Sequence, residues 1–134
     1  MSLEDALASG DRLVLAFYFE DETPTCETEV SVLKDSHEML REFRARAIAI
    51  SADTVESHER FAQRLGGVPF PLASDESLDV ARAYGVVDEG DPRRSRRAVF
   101  VIDTDATILL AIVPFQPGNL AHVEAIFNTL GAET

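Results

Sequence analysis

The sequence predicts an α/β fold, a mixed central sheet flanked by helices, in one domain spanning residues 1–134. Three observations carry this. Strand-like apolar runs alternate with helix-period segments through the front of the chain, the pattern of parallel strands joined by right-handed helical crossovers. Near the end, "AVFVID" and "TILLAIV" are separated only by Thr104–Ala106, a hairpin that adds antiparallel strands. No repeat, low-complexity tract or linker divides the chain, and 134 residues are enough to bury a single core.

The elements follow in order. "LVLAFYF" (Leu13–Phe19) is aromatic and lacks polar alternation, so it predicts a strand buried on both faces. A turn leads into a helix from about Thr25 to Arg46, whose stripe Val30, Leu33, His37, Leu40, Phe43 faces the core with His37 at its edge. "AIAIS" (Ala47–Ser51) is a short apolar strand. Asp53 and Glu56 have the spacing of a capping box opening "TVESHERFAQRLGG", which Gly66 and Gly67 stop. "PFPLAS" (Pro69–Ser74) is extended, because residues before proline avoid helical dihedrals. Asp75 can cap "ESLDVARAYG", which ends at Gly85, and Val86–Arg96 is polar and turn-rich. After the hairpin, "NLAHVEAIFNTLG" is an amphipathic helix with Leu120, Val123, Ile126, Phe127 and Leu130 inward.

Composition narrows the function. The chain carries 24 acidic against 12 basic residues, a net charge of -12, and Lys34 is its single lysine. So negative a surface repels phosphate backbones, which argues against a nucleic-acid partner. No run reaches the length of a membrane span, and "MSLEDALASG" has neither a basic region nor an apolar signal core, so the expected location is the cytoplasm, with no membrane partner. His37, His58 and His122 lack metal-ligand spacing, and one cysteine excludes an internal disulfide or a thiolate zinc cluster; no metal or cofactor is expected.

That cysteine, Cys26, raises the sharpest question. It sits in "FYFEDETPTCETEV" (Phe17–Val30), where a strand runs into Glu20, Asp21, Glu22, Glu27 and Glu29 just as a helix begins. A buried, inert cysteine is the plainest reading. Its position favours another, since Thr23-Pro24-Thr25 are turn and capping types and a thiol at a helix N-terminus meets unpaired amide donors that favour the thiolate. Five nearby carboxylates oppose a further negative charge, so a reactive Cys26 needs a cation delivered from elsewhere. "RRSRR" (Arg93–Arg97), immediately before a strand, can supply one, with Arg93, Arg94 and Arg96 expected in a solvated loop.

These residues resemble the peroxiredoxins of the AhpC/TSA superfamily, within them the bacterioferritin comigratory protein branch. Phe17-Tyr18-Phe19, Thr23-Pro24, Cys26 and Glu29 stand in register with Phe-Tyr-Pro-x-x-x-Thr-Pro-x-Cys-x-x-Glu. "FPLASDESLDVARAYGV" resembles the family's Phe-Pro-Leu-x-Ser-Asp segment ending in Ala-Tyr-Gly-Val, and "RAVFVIDTDATI" its Arg-x-x-Phe-x-Ile-Asp hairpin. The match runs from about Leu3 to the end.

The resemblance implies a thioredoxin-like fold and a thiol peroxidase for hydrogen peroxide or alkyl hydroperoxides. It makes Cys26 the peroxidatic cysteine, oxidised to a sulfenic acid, Thr23 the hydroxyl beside thiolate and peroxide, and Arg97 the guanidinium that stabilises the thiolate and polarises the O–O bond. The backbone amides of Thr25 and Cys26 complete the anion pocket, Glu29 orients the arginine, and most of the acids point to water. Three departures follow. Phe19 replaces the motif proline that shields the sulfenate. Ser31 stands where the branch often carries a resolving cysteine, so the cycle is a one-cysteine one with an external thiol reductant, thioredoxin- or glutathione-like. The chain begins near the family's first core strand without the usual N-terminal β-hairpin, which leaves an apolar patch or a homodimer interface; Ala106 replaces a customary hairpin glycine. The alternative is a degenerate binding or redox-sensing module in which Cys26 oxidises without turnover. A dithiol oxidoreductase is excluded, since Thr23-Pro24-Thr25-Cys26 holds one thiol.

Overall fold

The computed structural model describes residues 10–132. The expected short front end, and the beginning of the resemblance at Leu3, lie outside the described residues. The order is β1 (Arg12–Phe17), α1 (Pro24–Asp35), α2 (His37–Glu42), β2 (Ala45–Ser51), α3 (Val55–Arg64), β3 (Leu72–Ser74), α4 (Asp79–Ala83), β4 (Ala98–Ile102), β5 (Ile108–Ile112) and α5 (Leu120–Ala132). The strands form one mixed sheet in the order β3-β2-β1-β4-β5, parallel across β3, β2 and β1 and antiparallel from β1 through β4 to β5.

β1 lies at the centre of the sheet, and its side chains divide by the period of two. Val14 and Ala16, followed by Tyr18, join one core cluster with Val30, Leu33, Phe61, Ile126 and Leu130 from the helices. Leu13, Leu15 and Phe17 join the other, with Leu78, Ala81 and Val86. Both faces are covered, which is why the run lacks polar alternation; each fully buried Leu or Phe contributes about 1.5–3 kcal/mol. β2 gives Ala45, Ala47 and Ala49 to the first cluster and Ile48 and Ile50 to the second.

Several local expectations are corrected. The single helix from Thr25 to Arg46 is two, α1 and α2, broken at Ser36, a residue of low helix propensity between Asp35 and His37. The apolar stripe crosses the break in phase because the Leu40 N–H still donates to the Ser36 carbonyl at 2.9 Å. β2 begins at Ala45, two residues early, because Arg44 takes a left-handed φ of 56° that turns the chain into the sheet. The cap of α3 is Thr54, whose hydroxyl accepts from the Ser57 N–H at 3.1 Å; Asp53 is occupied elsewhere. The N-cap of α4 is Leu78, at a left-handed φ of 62° and without a side-chain bond; Asp75, three residues earlier, instead accepts from the N–H groups of Val80 and Ala81, and the helix is only Asp79–Ala83. Leu120 is not inward but 69% exposed, at the first position of α5.

Gly66 and Gly67 end α3 as expected, with φ of 76° and 95°, and the Gly67 N–H donates to the Ala62 carbonyl at 2.8 Å. The ammonium of Lys34 reaches from α1 to the Leu65 carbonyl at that same helix end, 2.5 Å away, tying the two helices together. Among the described residues no helix is long and apolar enough to cross a membrane.

Candidate active site

Local sequence places Cys26. Thr23 is the N-cap of α1, extended at φ -85°, ψ 144°, and Pro24 is the first helical residue, where no N–H is needed. The Glu27 N–H donates to the Thr23 carbonyl at 2.8 Å, so the N–H groups of Thr25 and Cys26, which precede it, have no acceptor within the helix. Thr23 does not cap them with its side chain. Its hydroxyl donates instead to the Glu20 carbonyl at 2.9 Å, closing the turn in which Glu22 is held at φ 63°. Cys26 is 1% exposed and belongs to the core cluster, yet Sγ is not purely in apolar company: it accepts the Phe19 N–H at 3.2 Å. The Phe19 ring is half-buried against that cluster.

Topology places Arg97. Antiparallel pairing sets Phe17 opposite Ala98, so the residue just after β1 and the residue just before β4 come to the same end of the sheet. The Arg97 carbonyl accepts from the Phe115 N–H at 2.9 Å, drawing in the turn before α5. A cleft of about 440 Å³ lies here, walled by Pro24, Thr25 and Thr28 of α1, by Arg97, and by Gln116 and Gly118 of that turn. Nε of Arg97 is buried without a hydrogen-bond partner.

Glu29, one helical turn after Cys26, is fully buried, and both its carboxyl oxygens lack a hydrogen-bond partner. Burial and the charge of Cys26 push its pKa well above the ordinary carboxylate value, more than Arg97 pulls it down. It makes no hydrogen bond to Arg97; the two interact through space.

Arrangement around the thiol resolves the puzzle of the five acids. Glu20 stands 3.5 Å from Arg94, and Glu27 is 3.5 Å from Arg64. Asp21 is paired with His58 at 2.9 Å, burial opposes the ionisation of Glu29, and Glu22 is exposed. The negative charge at the mouth of α1 is thus far smaller than the sequence suggests, and it is countered rather than merely pointed at water. Arg94, expected in a solvated loop, is half-buried and donates to Asp53 at 2.9 Å, while Arg93 is exposed and pairs with Asp91.

Sequence reasoning missed a buried polar network behind the site. Asp21 accepts from the Tyr18 hydroxyl at 2.6 Å and from the Ser57 hydroxyl at 2.7 Å, besides its contact with Nδ1 of His58. Nε2 of His58 lies 3.0 Å from the Ala73 carbonyl. Both ring nitrogens therefore face acceptors, and the partners assign an imidazolium. Asp53 extends the network, accepting from the Asp21 N–H at 2.9 Å, from Ser51 and from Arg94. The available signal was His58 itself, three residues before the buried Phe61 on the inner face of α3.

Residues 1–111 match the model of the AhpC/TSA family. Chloroplastic peroxiredoxin Q of Sedum lineare is 34% identical over 122 residues, 90% of this chain. The putative peroxiredoxin YkuU of Bacillus subtilis is 31% identical over 139 residues, 99% of this chain. This chain spans 64% of the length of the first and 70% of the second. Peroxidoxin BcpB of Mycobacterium tuberculosis superposes with a TM-score of 0.85 at 33% identity, covering 96% of this chain and 84% of that one. A Xylella fastidiosa PrxQ mutant gives 0.82 at 28% identity, over 92% and 77% of the two chains.

Proposed function

The chain belongs to the AhpC/TSA family, and from that membership we propose that it is a peroxiredoxin-type thiol peroxidase working through Cys26 alone. The observation that carries this reading is the position of Cys26 in the first turn of α1, next in the chain to Thr25, which lines one cleft with Arg97. The Cys26 thiolate attacks the terminal oxygen of a hydroperoxide. The S–O bond forms as the O–O bond breaks, and the departing oxygen takes a proton to leave as water or an alcohol. Negative charge spreads from sulfur over both oxygens, where the free amides of Thr25 and Cys26 and the Arg97 guanidinium stabilise it. In this reading the Thr23 hydroxyl, its hydrogen engaged with the Glu20 carbonyl, offers its lone pairs to the peroxide, and the half-buried Phe19 ring limits the approach of water to the sulfenic acid.

No second cysteine exists to resolve that acid, so an external thiol condenses with it, releasing water, and a second thiol returns Cys26 while a disulfide of the reductant leaves. Such a cycle suits the reducing cytoplasm. A homodimer is part of the reading: Ile108 at the edge strand β5 and the neighbouring Val113 are exposed, and sedimentation velocity tests it.

Peroxide consumption with a small added thiol tests the function. Multiple turnovers that vanish in Cys26→Ser support it; an unmodified Cys26 after peroxide addition ends it. The burial of Cys26 favours a second reading, a redox-sensing module, which would show one oxidation per chain and no turnover.

A further inference from the structure

The peptide unit joining Tyr18 to Phe19 is engaged at both ends. Its N–H donates to Sγ of Cys26 at 3.2 Å, and its carbonyl accepts from the Ser95 hydroxyl at 2.8 Å. The unit is rigidly placed. The Tyr18 N–H continues the sheet to the Ile50 carbonyl at 3.0 Å, the Tyr18 hydroxyl is fixed on Asp21, and Ser95, 1% exposed, is bridged to Val87. Amide resonance couples the two ends: a donor on the oxygen draws electron density from nitrogen and makes the N–H a stronger donor. An N–H aimed at sulfur interacts more strongly with a thiolate than with a thiol, because the hydrogen bond becomes charge-assisted.

We propose that the Tyr18–Phe19 peptide is a further anion-stabilising group of this site, and that Ser95 is a positioning residue acting through it. The inference rests on the reading that Cys26 reacts as a thiolate. It also gives residue 19 a role in its backbone: a proline there has no N–H to offer, whereas Phe19 supplies a donor to the sulfur itself.

The test reads the thiolate directly, without peroxide. The rate of Cys26 alkylation by iodoacetamide is followed from acid to alkaline pH in the wild type, Ser95→Ala, Phe19→Pro and Phe19→Leu, with circular dichroism checking each fold. Loss of the polarising hydroxyl in Ser95→Ala moves the midpoint up by about half a pH unit. Loss of the donor in Phe19→Pro moves it by about one unit or more. Phe19→Leu keeps the amide and the wild-type midpoint. Unmoved midpoints in both Ser95→Ala and Phe19→Pro overturn the inference, as does a shift in Phe19→Leu equal to that in Phe19→Pro, which would assign the effect to the ring. Should Phe19→Pro not fold, the Ser95→Ala midpoint decides alone. Peroxide turnover is scored separately: midpoint shifts in a protein that never turns over sink the peroxidase reading and leave this one standing.

Discussion

Asp21 and His58 are 37 residues apart in the chain, and their side chains meet at 2.9 Å in a site where both are almost wholly buried. Burial alone would push the His58 pKa down, but the hydrogen bond and charge of Asp21, with the Ala73 carbonyl, leave it raised above 6.5. Burial likewise opposes ionisation of Asp21, yet donation from His58, Tyr18 and Ser57 leaves its pKa below 3.8. The pair ties the loop carrying Phe19 and Thr23 to α3 and β3.

A pH window follows from those two directions. A raised histidine stabilises the fold fully below its unfolded value and loses that contribution as pH rises through the folded one; a depressed aspartate loses its own as pH falls through its folded value. Urea unfolding of the wild type is therefore expected to show stability decreasing as pH rises beyond 6.5. In His58→Gln the part of that decline due to the imidazole is lost, leaving the shallower slope that Glu29 gives, and stability near neutral pH is lower by about 3 kcal/mol because Asp21 stays buried without its cation. Equal alkaline slopes in the two proteins would place the titration elsewhere.

Glu29 acts in the same direction as His58, from a raised carboxyl rather than a raised imidazole. Its folded pKa lies above its unfolded one, so the fold is favoured at acid pH and loses that advantage as pH rises through the folded value. Glu29→Gln, neutral and of the same shape, removes the dependence. Measured against the wild type by denaturant titration, the variant should gain relative stability steadily from acid toward alkaline pH. A constant difference would show that Glu29 is not buried in its protonated form.

Arg97 separates chemistry from folding. Its Nε has no partner to lose, so Arg97→Met should change unfolding free energy by no more than about 1 kcal/mol. The rate of the peroxide step, followed by stopped flow, should fall about 10²–10³-fold, the usual effect of removing one group that stabilises a developing oxyanion. A fall in stability matching the fall in rate would make Arg97 structural.

Ala106 holds the β4–β5 turn at φ 71°, a left-handed conformation that an L side chain adopts at a cost. It is exposed and remote from Cys26, so Ala106→Gly should stabilise the protein by about 1 kcal/mol with peroxide turnover unaltered. Differential scanning calorimetry would register this as a higher Tm; a lower one would mean that the flexibility gained by the unfolded chain outweighs the strain relieved.

The amino-acid sequence by itself determined the succession of strands and helices, the doubly buried β1, the hairpin, and a cysteine at the start of a helix. All of these rest on residues within a turn or two of one another, where spacing and propensity act directly. It did not reveal the break at Ser36, because a one-residue kink preserves the phase of the stripe. Nor did it reveal which acids keep their charge: Asp21 finds His58, Glu20 finds Arg94, and Glu29 is buried with no hydrogen-bond partner. Those outcomes belong to the tertiary structure. The free energy of a charge depends on what surrounds it within a few ångströms, and here the surroundings come from segments far apart in the chain. The same holds for Ser95, Tyr18 and Cys26, which only the packing of β4 against β1 brings into one hydrogen-bonded line.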